Sequence, residues 1–162
     1  MAARARPPIV AVCGPGERAS REELAAAEMV GRLLAERGAV VLCGGLGGVM
    51  EAASRGARSA GGLVVGLLPG VDPREANPYV TIPIATGAGA IRNALIATGC
   101  EALIAVGGRF GTLTEVAFAL RMGRPVIGLH SFRLDEPALG GAPLWRARTP
   151  EEAVEIALGK GA

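Results

Sequence analysis

The feature that most constrains this chain is an alternation running its whole length, in which short unbroken apolar stretches are separated by longer segments with helical spacing. The apolar stretches are Ile9–Cys13, Ala39–Cys43, Leu63–Leu68, Val80–Ile84, Ala102–Val106 and Pro125–Leu129. None has the polar–apolar alternation of a strand with one wet face, so each reads as a parallel strand covered on both sides. Between them, Arg21–Arg37, Val49–Ala60, Ala90–Thr98 and Thr112–Met122 carry apolar residues at helical intervals. This rhythm predicts an α/β fold, a single doubly wound parallel sheet with helices on both faces and right-handed crossovers. Pro143–Arg148 reads as a short extra strand and Thr149–Leu158 as a terminal helix with Pro150 in its first turn. No repeat or linker interrupts residues 1–162, which points to a single domain.

Composition narrows the partners. Only 3% of residues are aromatic, so the core must be built from Val, Leu, Ile and Ala. The 17 basic residues are scattered among 15 acidic ones without a basic block, which argues against nucleic acid. Cys13, Cys43 and Cys100 are odd in number and lack metal-ligand spacing; they read as buried free thiols of a reducing, cytoplasmic compartment. Arg4 and Arg6 precede an apolar run too short for a signal peptide, and no run approaches membrane-spanning length.

Glycine marks the site. Gly14-Pro15-Gly16, Gly44-Gly45-Leu46-Gly47-Gly48 and Gly107-Gly108 each follow a strand, and in a parallel sheet all three fall on the carboxyl edge. There the backbone can approach a ligand closely, and the next helix offers unpaired N–H groups to an anion. Gly14, Gly44, Gly45, Gly47, Gly107, Gly108 and Gly111 are therefore the candidate ligand- and phosphate-binding residues. Neither the Gly-x-Gly-x-x-Gly dinucleotide fingerprint nor a P-loop is present there.

Thr112 and Glu115 have a second reading as a capping box, a device repeated by Ser20 with Glu23 and Thr149 with Glu152. A carboxylate in the first helical turn would repel a phosphate bound at the same amides. Glu115 is therefore expected to face sugar hydroxyls or a developing cation, leaving the phosphate to the Gly107–Gly111 backbone. Phe110 stands where the loop should open, either stacking on a base or packing beneath the loop. His130 follows a strand and reads as a structural or rim residue.

Gly107–Glu115, together with GGLGGVME at Gly44–Glu51 and Ala90-Ile91-Arg92-Asn93, resembles the Rossmann-like superfamily long mislabelled "lysine decarboxylase". Its members include the LONELY GUY phosphoribohydrolases and molybdenum-cofactor carrier proteins, and the resemblance runs from the first strand to about Leu129. In the hydrolase branch the motif is Pro-Gly-Gly-x-Gly-Thr-x-x-Glu with an upstream Met-His-x-Arg-Lys stretch. Here Val106 stands in place of the proline, and the lysine after the arginine is missing, as in the carrier-like branch. The resemblance implies that Arg92 and Glu115 match the catalytic pair, that Gly107, Gly108, Gly111 and Thr112 match the phosphate-binding loop, and that the protein is a homodimer or higher homo-oligomer.

Pyridoxal-phosphate decarboxylation is excluded, because such enzymes hold their cofactor on lysine and Lys160 is the only one. His130 is the only histidine, and no acidic cluster has ligand spacing, so no metal site built from these side chains and no catalytic cofactor are expected. Two readings stay open. One is a carrier-like protein that binds a small phosphate-bearing molecule, a nucleotide or a molybdenum-cofactor-type pterin. The other is an enzyme, a nucleoside 5'-monophosphate phosphoribohydrolase cleaving the N-glycosidic bond.

Overall fold

The computed structural model describes residues 5–134 and 137–161; Arg4 of the basic N-terminal pair lies outside them. The described residues form strands β1 (Ile9–Cys13), β2 (Val40–Cys43), β3 (Val64–Leu68), β4 (Ile82–Ala85), β5 (Ala102–Val106), β6 (Val126–Leu129) and β7 (Leu144–Ala147). Helices α1 (Arg21–Glu36), α2 (Val49–Ser59), α3 (Arg92–Gly99), α4 (Phe110–Arg121) and α5 (Pro150–Gly161) connect or follow them. The strands make one sheet in the order β4-β3-β2-β1-β5-β6-β7, every neighbouring pair parallel. The chain starts in the middle, winds outward to β4, then returns to place β5 against the other side of β1. The switch point, where open α/β sheets take ligands, therefore lies between the carboxyl ends of β1 and β5.

Both faces of the central strands are dry, as unbroken apolar strands require, while β4 at the edge is mostly exposed. Val10, Val12, Val41 and Ile104 face one core with buried residues of α1, α2 and α5; Ala11, Cys13, Leu42 and Leu103 face the other with Ile96 and Ala97 of α3 and Val116 and Ala119 of α4. All three cysteines are free and buried, Cys43 in the first core and Cys13 and Cys100 in the second. α1 and α2 pack closely enough for backbone to meet backbone. A side chain at Gly31 would strike the Ala53 carbonyl, and one at Gly56 the Glu28 carbonyl.

The helix starts follow different rules. Ser20 caps α1 as expected: its hydroxyl accepts from the Glu23 amide at 3.0 Å while the Glu23 carboxylate accepts from the Ser20 amide at 2.8 Å. At α5 the box is displaced. Thr149 Oγ1 accepts from the Glu152 amide at 3.2 Å, but the Glu152 carboxylate reaches the Arg148 amide, one residue earlier, at 2.8 Å. At α4 the expected box does not form. The helix begins at Phe110 with Arg109 as its N-cap and no side-chain cap, which moves Thr112 and Glu115 inside the helix and buries both.

Candidate functional site at the switch point

Starting α4 two residues early removes the electrostatic conflict foreseen at Glu115. Phe110, Gly111 and Thr112 now make the first turn, which contains no acidic residue, and Glu115 lies in the second. The first helical hydrogen bond is from the Leu113 amide to the Arg109 carbonyl, at 2.9 Å. Helix geometry leaves the amides of residues 110–112 without intrahelical acceptors, at the positive end of the helix dipole. Gly111 is exposed, and nothing lies within 4 Å of where its side chain would begin. Asn93 steadies this turn from α3: its amide donates to Thr114 Oγ1 at 2.8 Å, and Thr114 Oγ1 donates to the Gly111 carbonyl at 2.6 Å.

Gly107 and Gly108 shape the turn instead. The Gly107 amide donates to the Leu129 carbonyl at 2.9 Å, and its φ of +67° needs glycine. The Cβ that Gly107 lacks would fall on the Glu23 carboxylate, so the acid of the α1 capping box stands directly against the turn. The amides left without acceptors at this end of α4 are therefore those of residues 110–112. At Gly108 the missing Cβ makes room for the Phe132 ring.

Arg92 opens α3 and is only 8% exposed. Its guanidinium occupies the space a side chain at Gly44 would take, beside the Met50 sulfur. Gly44 is thus needed for Arg92 to reach the edge of the sheet. Arg92 Nε is buried without a hydrogen-bond partner, and no carboxylate of a described residue lies within ion-pair distance. Leaving a buried cationic donor unsatisfied is costly unless a ligand completes it. Glu115, 7% exposed, sits close enough to feel the Arg92 charge. Burial pushes its carboxyl up to about 7, against the opposing effects of a hydrogen bond from the Cys13 thiol and of Arg92. The Cys13 thiol is itself pushed well above its usual range, first by burial and then by the Glu115 charge.

The remaining candidates are placed as follows. Gly14 is wedged between the Val106 carbonyl and the Val49 side chain, bracing β1 against β5 and α2. Gly45 has a φ of +77° and sits on Leu68, with its amide on Cys43 Sγ at 3.3 Å. Gly47 is open apart from Glu51 Oε2 at 4.0 Å. Thr112 is buried in the first turn of α4. Arg92, Glu115, Gly44 and the first turn of α4 therefore converge on the switch point, whereas Gly14 and Gly45 hold the loops together behind it. His130 ends β6 with a φ of +52°, its Nε2 3.7 Å from Glu22. Glu23, Phe132 and the Asn93–Thr114 link escaped the sequence reading. For Glu23 the capping box was the available signal, because it fixes where the carboxylate points.

Residues 7–154 match the SLOG cluster4 family. The chain belongs to that family. An uncharacterized protein of Archaeoglobus fulgidus is 42% identical over 149 residues, covering 92% of this chain and 93% of the other. The molybdenum cofactor binding protein of Rippkaea orientalis superposes with a TM-score of 0.90 at 38% identity, covering 96% of this chain and 98% of that one. The molybdenum cofactor carrier protein of Chlamydomonas reinhardtii gives 0.87 at 36% identity, covering 95% and 98%. A probable cytokinin riboside 5'-monophosphate phosphoribohydrolase of Oryza sativa is 40% identical over 109 residues, covering 64% of this chain and 44% of the plant protein. This SLOG cluster4 chain thus lies in the LONELY GUY-like superfamily, on its molybdenum-cofactor-carrier-like branch, with the Rossmann-like fold its alternating sequence predicts. Between Gly108 and Gly111 it has two residues, Arg109 and Phe110, where the hydrolase motif has one.

Among the described residues no group of three His, Cys, Asp or Glu side chains could hold a metal ion, and no helix is long and apolar enough to cross a membrane.

Proposed function

We propose that this chain is a carrier-like binding protein for a phosphate-bearing ligand of the molybdenum-cofactor pterin or nucleotide type. The observation that carries this reading is the pairing of an acid-free, uncapped first turn of α4 with Arg92, a buried guanidinium whose Nε has no partner. In it the phosphate sits on the amides of Phe110–Thr112, Arg92 adds charge, and Glu115 faces the neighbouring part of the ligand. The relatives named for molybdenum cofactor binding and carriage supply the ligand class. Calorimetry with molybdenum cofactor and a panel of mononucleotides tests it: binding tighter than millimolar that weakens at least tenfold in Arg92→Ala supports it. No binding across the panel overturns it.

The phosphoribohydrolase reading has one specific observation in its favour, a buried carboxyl pushed up to about 7 beside an arginine. General acid–base catalysis is most effective when the group's pKa lies near the working pH, and is worth roughly 10²–10⁴-fold. AMP incubated with the protein and chromatographed for free adenine decides between the readings. Release abolished by Glu115→Gln identifies an enzyme; its absence leaves the carrier.

The proposal extends to assembly. The single 1–162 unit pairs with copies of itself, in the cytoplasm, through the α3–α4 face, where Ile91, Leu95, Phe118 and Met122 stand exposed. Sedimentation at micromolar concentration should give at least a dimer, reverting to a monomer in Leu95→Glu.

A further inference from the structure

Beside the α4 turn lies a second feature that phosphate binding does not use, an apolar pocket of ≈420 Å³ lined by Leu113, Phe132, Leu134 and Phe110. Gly108, Arg109 and Arg133 complete its lining. Its volume falls within the roughly 300–1,000 Å³ typical of small-molecule sites. Phe110 is 89% exposed, the most exposed large apolar residue among those described. A ring left in water on the first turn of a helix contributes nothing to the fold. Phe132, by contrast, is held in place, its ring filling the notch at Gly108. The two arginines bring charge to the same opening. Arg109 reaches only the Gly108 and Arg18 carbonyls, each at 3.5 Å, and neither arginine has a carboxylate within ion-pair distance among the described residues.

We propose that this pocket receives the planar heterocycle of the ligand whose phosphate sits on the first turn of α4, with Phe110 stacking on the ring. The inference rests on the phosphate-binding reading above and adds which part of the molecule sets specificity. Three observations select this occupant. Gly108–Phe110 line the pocket and lead directly into the amides of residues 110–112, so both ends of one small molecule are in reach. Aromatic rings and guanidinium planes together favour a flat π-system over an aliphatic chain. The arginines, with no carboxylate within ion-pair distance among the described residues, suit a ligand that carries negative charge at one end.

The test compares GMP with ribose 5-phosphate, which share the sugar phosphate and differ only by the base, in calorimetric titrations of wild type, Phe110→Ala and Phe110→Leu. Wild type is expected to bind GMP more tightly than ribose 5-phosphate. Both variants should lose about tenfold or more in GMP affinity, well beyond any loss for ribose 5-phosphate, since base–aromatic stacking is of that order. Phe110 is too exposed for either variant to unfold the protein, and circular dichroism checks this. Equal affinity of wild type for the two probes, or equal losses for both in the variants, overturns the pocket assignment while leaving phosphate binding standing. Failure of wild type to bind either probe overturns the pocket assignment, while the phosphate-binding reading falls only if molybdenum cofactor and the mononucleotide panel also fail to bind. Unchanged GMP affinity with a loss of self-association in Phe110→Ala assigns the ring to a second copy and also overturns the proposal.

Discussion

At Gly44, Gly45 and Gly48 the positions that side chains would take are already filled by the protein's own atoms, whereas at Gly111 nothing lies within reach. Arg92 and the Met50 sulfur crowd Gly44, Leu68 crowds Gly45, and the Pro15 and Gly16 carbonyls crowd Gly48. The first turn is closed by its own chain; the second is open to solvent at the end of a helix with unpaired amides. In sequence the two look alike, both lying in glycine-rich stretches that follow a buried strand. In the first case glycine is required because protein comes close; in the second no neighbouring atom requires it. A glycine count alone cannot separate these demands.

The comparison can be broken first at Gly48, whose φ is +66° and whose Cβ would meet two backbone carbonyls. Gly48→Ala should cost about 2–5 kcal/mol, combining left-handed strain with overpacking that backbone cannot relieve. Urea unfolding gives the value; a loss below 1 kcal/mol would mean the turn is looser than described.

The next largest effect concerns Glu115. Its carboxyl is raised in the folded state from 4.5 to about 7, so the native protein holds a proton that the unfolded chain releases. Stability is complete below about pH 4.5 and falls as pH rises through 7, by about 3 kcal/mol in all. Glu115→Gln, neutral at every pH, should match wild type at pH 4.5 and exceed it at pH 8. Parallel wild-type and variant curves would show that Glu115 does not titrate in this range.

The smallest effect is the sharpest for function. Gly111→Ala meets no neighbour and sits in a helix, so it should stabilise by about 0.5–1 kcal/mol. The same methyl should weaken phosphate-ligand binding at least tenfold, measured by the calorimetry used for Arg92→Ala. Unchanged affinity would place the anion elsewhere.

Much of the sheet was legible because its cause is local. Ile9–Cys13 and Ala102–Val106 are strands at the boundaries their apolar runs give. At the edge the signal weakens: Val80–Ile84 slides to Ile82–Ala85, where Ile82 and Ile84 are exposed and burial no longer fixes the ends. The start of α4 was misplaced because Thr112 and Glu115 spell a capping box that tertiary burial overrides. Arg92 against Gly44, and Glu23 against Gly107, join residues far apart in sequence and become adjacent only through strand order. The glycine positions at the edge of the sheet were readable, but which of them are braced by neighbouring chain and which stay open was not.

The buried cysteines offer a way to watch the two sides of the sheet separately. Cys43 belongs to the layer under α1, α2 and α5, and Cys13 and Cys100 to the layer under α3 and α4. Burial also pushes each thiol above its normal range, so none reacts until its own layer parts. A thiol-reactive dye, with modified residues identified by mass spectrometry, therefore acts as a two-channel clock. Cys43 times the opening of one layer and Cys13 with Cys100 that of the other, and a ligand seated over the switch point should slow the second channel first.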